Sequence, residues 1–457
     1  MLDIPAVPIP RHSPRVSSAH IIGEGQSRAL LAVDSGRIYR PEVSLLNAID
    51  ESMAFGDEER VREFLASSGL LWTEHPCETV PTAVPLRAIS LSIASKCNLG
   101  CTYCYAEQGD FGGSSRPMSL DVARKAIDQL VAGASPGERV RIVFLGGEPL
   151  VNRTGLREAT KYAKRVASER GVRVDLAITT NATLLTVEDA EFLDQHAFAI
   201  TISVDGIGEA HDRLRPSRSG RGTYQRVVER ARLLLGRGGR QCQVAARLSV
   251  TPSNLDLPET LTELTSIGFD SIQFAPVLAA PSGRGTLDAA DLERLLAQLV
   301  ACSDLCEKRL AESGAMPPFA NLSSTLARIH RRALDEYPCG AGGSYVGVSS
   351  EGTLSACHRF VGDAKADLGN VEDGLDPALQ ADWLSQRNVR FQKPCRSCWA
   401  RNLCGGSCHY DVINRGRPAC DYIRGWLDHC LVLYVRLAIE NPGMLSRMIA
   451  PRAIGVG

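Results

Sequence analysis

The stretch SKCNLGCTYCYAEQG, residues 95–109, holds three cysteines, Cys97, Cys101 and Cys104, separated by three and then two residues, with the aromatic Tyr103 directly before the third. It follows LRAISLSIAS (86–95), which reads as a strand. From there strands and helices alternate. SLDVARKAIDQLVAGA is a helix with Ser119 as its N-cap, RVRIVFLGGEP a strand and GLREATKYAKRVASERG a helix. VRVDLAITTNA, FAITISVDG, QCQVAARLSVT and FDSIQFAPV are further strands, separated by TVEDAEFLDQH, TYQRVVERARLLLGRG and LPETLTELTSIG as helices. Such repetition predicts an α/β unit with parallel strands and helices packed outside. Six strands are too few for a closed eight-fold barrel, so residues 86–285 are expected to form a partial, open (βα)6 barrel. The cysteine loop then lies at the C-terminal edge of the sheet, where such folds build their sites.

Outside this unit the rhythm differs. Within 1–85, HIIGEG and ALLAVDSG read as a short hairpin, and PEVSLLNAIDESM and DEERVREFLASSGLL as two amphipathic helices. This small α+β domain suits a peptide-docking module or a structural cap. Residues 286–336 read as a helical connection. Residues 337–457 are rich in Cys and Gly and poor in long periodic segments, which suggests a domain held by metal and closed by a helix.

The chain has 457 residues, a formal net charge of −1 and 44% hydrophobic residues, an ordinary globular composition that argues against nucleic acid or a membrane surface as main partner. The arginine-rich run 213–240 lacks interleaved aromatics and reads as a solvated helix with loops. Prolines interrupt the N-terminal MLDIPAVPIP where an export signal needs an unbroken apolar run, and no segment is long enough to cross a bilayer. The expected location is cytoplasmic. Fifteen cysteines are then the anomaly, because disulfides are rare in a reducing cytosol. Three lie in 97–104 and eight between 339 and 430; Cys77, Cys242, Cys302 and Cys306 read as small apolar or incidental residues.

Three thiolates can hold three corners of a cubane iron–sulfur cluster, leaving the fourth iron open to a small chelating molecule, whereas a closed cluster takes four cysteines. A structural zinc site would need a fourth ligand such as His, and none lies near 97–104.

The C-x3-C-x-aromatic-C run after the first strand, with GGEP (146–149) after the second, resembles the radical S-adenosylmethionine (SAM) superfamily over roughly residues 86–277. The resemblance implies a [4Fe–4S] cluster on Cys97, Cys101 and Cys104 that binds SAM, with Tyr103 beside the cofactor. Gly146, Gly147 and Glu148 would meet the methionyl amino group. Asn181 and Ser203 would contact the nucleoside or carboxylate, and Arg215 in HDRLRP the carboxylate. The later run CRSCWARNLCGGSC resembles the SPASM extension of these enzymes. It implies a second auxiliary [4Fe–4S] cluster on Cys395, Cys398, Cys404 and Cys420 and a first on Cys339, Cys357 and Cys408, three clusters in all. Cys430 either completes the first auxiliary cluster or leaves it open for a substrate thiolate. Two structural zinc sites are the bland alternative.

CYAEQGDFGG, FLGGEPLVN, ITTNATLL, SVDGIGEAHDRLRP and CDYIRGWLDHC together are most similar to the thioether-forming maturases of the quinohemoprotein amine dehydrogenase small subunit. That resemblance implies a bond between Cys sulfur and an Asp or Glu side-chain carbon, a polypeptide substrate docked on the N-terminal domain, and an external one-electron donor such as flavodoxin or ferredoxin. The alternatives are an anaerobic sulfatase-maturating enzyme, a thioether maturase of a small peptide natural product and an iron–sulfur electron carrier. The sulfatase group places Asp after the second cysteine of its SPASM run; here the residue is His358. Asp205 and His358 are the candidate bases, against a turn-forming Asp and a His merely beside the cluster.

Overall fold

The structure, a computed structural model, describes residues 17–25, 28–70, 84–109 and 116–450. The proline-interrupted N-terminus, Cys77 and residues 110–113 of the CYAEQGDFGG tract lie outside the described residues. The chain divides into two compact units, each assembled from separated stretches: Met1–Val80, Asp288–Cys339 and Ser385–Ala450 in one, Pro81–Leu287, Gly340–Leu384 and Pro451–Gly457 in the other. These units cut across the segments 1–85, 286–336 and 337–457 expected from sequence.

The first unit opens with β1 (Ala19–Ile22), β2 (Ala29–Ala32) and β3 (Arg37–Tyr39), an antiparallel sheet in that order. Helices α1 (Val43–Phe55) and α2 (Glu58–Ser67) pack on it through Leu46, Ile49, Val61 and Leu65 against Ala19 and Leu30. The expected hairpin and both helices are present, and β3 is an addition.

The second unit carries the parallel strands β4 (Ala88–Ala94), β5 (Arg139–Gly146), β6 (Arg173–Thr180), β7 (Ala199–Ser203), β8 (Gln243–Val250) and β9 (Ser271–Pro276), adjacent in sequence order. Between them run α3 (Leu120–Ala132), α4 (Arg153–Glu169), α5 (Val187–Gln195), α6 (Glu209–Leu214), α7 (Tyr224–Leu235) and α8 (Leu257–Ile267). Ser119 caps α3, its hydroxyl accepting from the Val122 N–H. Alternation gives the sheet two faces. Ile89, Leu91, Ile142, Phe144, Ile178, Ile200, Leu248 and Phe274 are buried large side chains on one face. In register on the other stand smaller and polar residues: Ser90 opposite Val143, Thr179 opposite Thr201, and Ser203 opposite Arg247 opposite Gln273. The second face therefore carries hydrogen-bonding groups beside a small apolar cluster of Val143, Leu145, Ala177 and Ala199.

After α9 (Ala289–Ser313) and α10 (Ala320–His330) of the first unit, the chain returns to this sheet. β10 (Tyr345–Val348) pairs parallel with β4, and β11 (Thr353–Ser355), β12 (Asp367–Asn370) and β13 (Gly374–Leu375) extend the sheet to ten strands. The six expected strands thus lie in a larger sheet, whose parallel part counts seven strands because β10 adds to β4. The described residues close with α11 (Pro377–Arg387), α12 (Arg401–Cys404), α13 (His409–Arg415), α14 (Cys420–Glu440) and α15 (Pro442–Ile449). α14 lies close along α9: a Cβ on Gly425 would stand 2.5 Å from Leu296, and Arg436 pairs with both Glu307 oxygens at 2.8 and 2.6 Å. Among the described residues no helix is long and apolar enough to cross a membrane.

Candidate active site

The cysteine loop leaves the C-terminal end of β4 and is clasped by the end of β5. The Gly147 N–H donates to Ala94 O at 2.7 Å and the Glu148 N–H to Lys96 O at 2.9 Å. A Cβ on Gly147 would stand 2.3 Å from Lys96 O, and one on Gly146, at φ +134°, 2.3 Å from Ala94 O. Only glycine permits this approach. Gly147→Ala is expected to cost about 1–3 kcal/mol or more by overpacking, read as a fall of several degrees in Tm by calorimetry.

Glu148 is almost fully buried, and its carboxylate accepts from Thr180 Oγ1 at 2.6 Å, the Asn181 N–H at 2.7 Å and the Leu150 N–H at 3.1 Å. Burial raises its pKa, and these three donors oppose the rise. Asn181, at the end of β6, reaches Cys97 Sγ at 3.7 Å and donates to Asn98 Oδ1 at 3.0 Å, while Thr183 donates to Asn181 Oδ1 at 2.6 Å. Asn98 in turn donates to Thr183 Oγ1 at 2.7 Å. This ring of amides and hydroxyls ties the first cysteine to the end of β6.

Tyr103 turns inward. Its hydroxyl donates to Asp205 and accepts from Arg215 at 2.6 Å. Arg215 stands 3.3 Å from the same Asp205 oxygen, with side chains 11% and 0% exposed. The other Asp205 oxygen accepts the Ser249 N–H at 2.8 Å. Three residues nominated separately thus form one buried group, in which Asp205 is the counter-charge of a guanidinium. Ser203 sits one position before Val204 at the end of β7. His211, fully buried on α6, accepts the Asp205 N–H at Nδ1 (3.1 Å), and its Nε2 meets Thr223 Oγ1 at 3.1 Å. Because that hydroxyl donates to Arg215 O at 2.6 Å, His211 Nε2 carries the proton. Burial, then Arg215, lower its pKa to about 4, so it is neutral near pH 7.

His358 lies on the same unit. The Tyr345 hydroxyl bridges its Nδ1 (2.7 Å) and Ser90 Oγ (2.9 Å), and its ring meets Tyr105 edge-on at 5.7 Å. Burial, with Arg359 and Arg247, lowers its pKa to about 3, so the ring is uncharged near neutrality. Arg247 is exposed and donates to Gln273 at 3.3 Å. Arg359 lies 5.7 Å from the Tyr105 ring centre and donates to Ala279 O at 3.2 Å.

The three loop cysteines lie within electrostatic range of one another, and burial raises the thiols of Cys97 and Cys101, the latter to about 12, with Arg215 opposing. Among the described residues no three His, Cys, Asp or Glu side chains converge as the ligands of a single ion would. The donor set nonetheless fits an iron–sulfur cluster: three thiols in one loop, a sulfur-facing amide, and strand ends pressed close by glycines. Arg215 Nε is buried without a partner among the described residues, and Glu148 is a buried carboxylate, so groups complementary to a carboxylate and an ammonium stand at the same edge.

In the other unit Cys395, Cys398, Cys404 and Cys420 also influence one another. Arg417 hydrogen-bonds Cys395, Arg424 hydrogen-bonds Cys398, and the Gly406 N–H hydrogen-bonds Cys404. Such donors steady thiolate ligands from outside the ligand shell. Cys339 and Cys408 fall in this unit and Cys357 in the barrel unit. Cys430 is fully buried on α14, three turns or roughly 15 Å along the helix from Cys420, and burial alone raises its thiol. Cys242, Cys302 and Cys306 are buried, as expected of apolar residues.

Asn98, Thr183, His211, Thr223, Arg247, Arg417 and Arg424 were not nominated from the sequence. All but Arg417 lie in runs read above as motifs or elements, but their partners are distant in sequence: His211 meets Asp205, just past β7, and Thr223, at the start of α7.

Residues 91–271 match the model of the radical SAM superfamily. The serine-type anaerobic sulfatase-maturating enzyme of Bacteroides thetaiotaomicron is 30% identical over 377 residues, covering 75% of this chain and 88% of that one. Among solved structures, native anSMEcpe with bound AdoMet and Cp18Cys peptide superposes with a TM-score of 0.64 at 20% identity, covering 78% of this chain and 99% of that one. Streptococcus suis SuiB bound to S-adenosylmethionine gives 0.51 at 14% identity, covering 88% and 96%. The sequence relationship and the shared fold agree with the cysteine loop and the six-stranded parallel array: the chain belongs to the radical SAM superfamily and is an enzyme related to its peptide and sulfatase maturases.

Proposed function

We propose that this enzyme modifies a ribosomally made polypeptide by joining a Cys sulfur to the side-chain carbon of an Asp or Glu, as in the small subunit of quinohemoprotein amine dehydrogenase. Cys97, Cys101 and Cys104 would hold a [4Fe–4S] cluster; Glu148 would receive the amino group of SAM, Arg215 its carboxylate, and Asn181 and Ser203 its nucleoside or carboxylate. When bound, the cluster and SAM supply one electron and a 5′-deoxyadenosyl radical, so that a C–H and an S–H bond are exchanged for a C–S bond as one hydrogen atom, one proton and one electron leave. Cys395, Cys398, Cys404 and Cys420 would hold one auxiliary cluster, steadied by Arg417 and Arg424. Cys339, Cys357 and Cys408 are assigned to the other, three clusters in all. The burial of Cys430 in a helix core supports an open position there. Residues 1–85 would dock the polypeptide: β3 is paired on one side only, an edge to which an extended segment can add. An external one-electron donor, such as flavodoxin or ferredoxin, completes the set.

The observation that carries the thioether reading is the charge around His358. Where a carboxylate would stand in the sulfatase group there is a neutral imidazole held by Tyr345, with Arg247 and Arg359 influencing the same Tyr105–His358 pair. Guanidinium groups there suit an acidic substrate side chain. Arg247→Gln is expected to lower kcat/KM for an acidic acceptor about 10- to 100-fold, measured against the amide-bearing acceptor, which should be little affected. The 30% identity to a sulfatase-maturating enzyme favours the second reading, oxidation of Cys or Ser to formylglycine. Mass spectrometry of Cys-, Asp- and Glu-bearing polypeptides after anaerobic incubation decides. Loss of two hydrogens with an alkylation-resistant sulfur supports the thioether; a carbonyl at a sulfatase-type Cys or Ser supports the other reading.

A further inference from the structure

We propose that His211 is a positioning residue for the anionic end of SAM, holding Asp205 and Arg215 in place from behind; this rests on the radical SAM reading of the site. Its Nδ1 accepts the Asp205 N–H at 3.1 Å, and its Nε2–H reaches Thr223 Oγ1 at 3.1 Å, which passes the bond on to Arg215 O at 2.6 Å. One ring thus fixes the backbone of both members of the buried ion pair. Asn254 closes the frame from the loop after β8, its side-chain amide donating to Asp205 O at 3.1 Å and Ser249 O at 3.0 Å, while Ser249 N–H caps the Asp205 carboxylate. Asp212, on the same helix as His211, accepts from the Thr223 N–H at 2.6 Å and the Tyr224 N–H at 2.7 Å, so the start of α7 is locked to α6. The Arg215 guanidinium is held at Nη1 by Tyr103 and Asp205, and its buried Nε has no partner among the described residues. A small rotation of α6 would carry it off Tyr103 and Asp205. The imidazole is suited to the task because it offers one acceptor and one donor in a rigid plane, which no aliphatic side chain can do.

The test is calorimetric binding of SAM to anaerobically reconstituted protein, with iron content and Tm measured in parallel. His211→Leu is expected to weaken binding at least about tenfold with iron content unchanged, and His211→Asn, which keeps an acceptor near Nδ1, to recover part of the loss. Thr223→Val, which cuts the bridge to Arg215 and leaves the ring in place, is expected to behave like His211→Leu and stands in for it if that variant does not fold. Binding within about twofold of wild type in these variants overturns the proposal. So does a fall in Tm or iron with unchanged affinity, or failure of both variants to fold, since His211 is then a folding element only. Absence of SAM binding by the wild-type protein would sink the underlying reading of the site, an outcome distinct from any of these.

Discussion

Replacing Cys97, Cys101 and Cys104 together by alanine is expected to abolish reductive cleavage of SAM and to remove about four iron per chain, while the protein stays folded. The loop cysteines lie outside the core, which is built by Ile89, Leu91, Ile142, Phe144 and their neighbours on the strands. The loop is held by backbone contacts that the substitutions leave intact, the Gly147 N–H on Ala94 O and the Glu148 N–H on Lys96 O. Cys395, Cys398, Cys404 and Cys420 lie in the other compact unit, so iron of the proposed auxiliary cluster should be retained. 5′-Deoxyadenosine release under dithionite, with iron analysis, checks both halves of the prediction. Iron unchanged in the triple variant would separate the loop from any cluster.

Asp205→Asn is expected to destabilise the barrel unit by about 3–5 kcal/mol, because it leaves the Arg215 guanidinium buried without its counter-charge. The side chains are 0% and 11% exposed, so water cannot replace the carboxylate. Asparagine keeps the shape and can still accept from Tyr103 or Ser249, so the loss reads the charge. Arg215→Met in the same chain should recover much of the stability, since an apolar pair replaces a buried ion pair at little cost, but it should not recover SAM binding. Chemical denaturation of the two single variants and the double variant gives the coupling directly. Additive losses would mean that the pair is not an energetic unit.

What the sequence showed of this molecule is what is local. The six parallel strands were legible because each is a run of apolar residues five to eight long flanked by an amphipathic helix, and the α3 cap because Ser119 directly precedes its helix. Cys395, Cys398 and Cys404 were legible as a set because their spacing is short. β3 and β10 to β13 were not, since two to four residues of mixed burial carry no period. Nor could spacing show that residues 340–384 return to the barrel sheet. The site divides in the same way. Glu148 and the cysteines announce themselves as motifs. Asn98 joins the candidate site only because Thr183, 85 residues away, is brought to it, and Tyr103 only because Asp205 and Arg215 close over its hydroxyl. SVDG alone suggests a base or a turn residue at Asp205; its burial against Arg215 depends on residues that the motif does not contain.

The chain is expected to carry an open three-cysteine cluster and two auxiliary clusters. Iron and acid-labile sulfide per chain, on protein prepared anaerobically, test it most directly. About twelve of each is expected; zinc in place of iron would rule out the cluster chemistry altogether, and about four iron with zinc as the remainder would leave the SAM site standing without its auxiliary clusters.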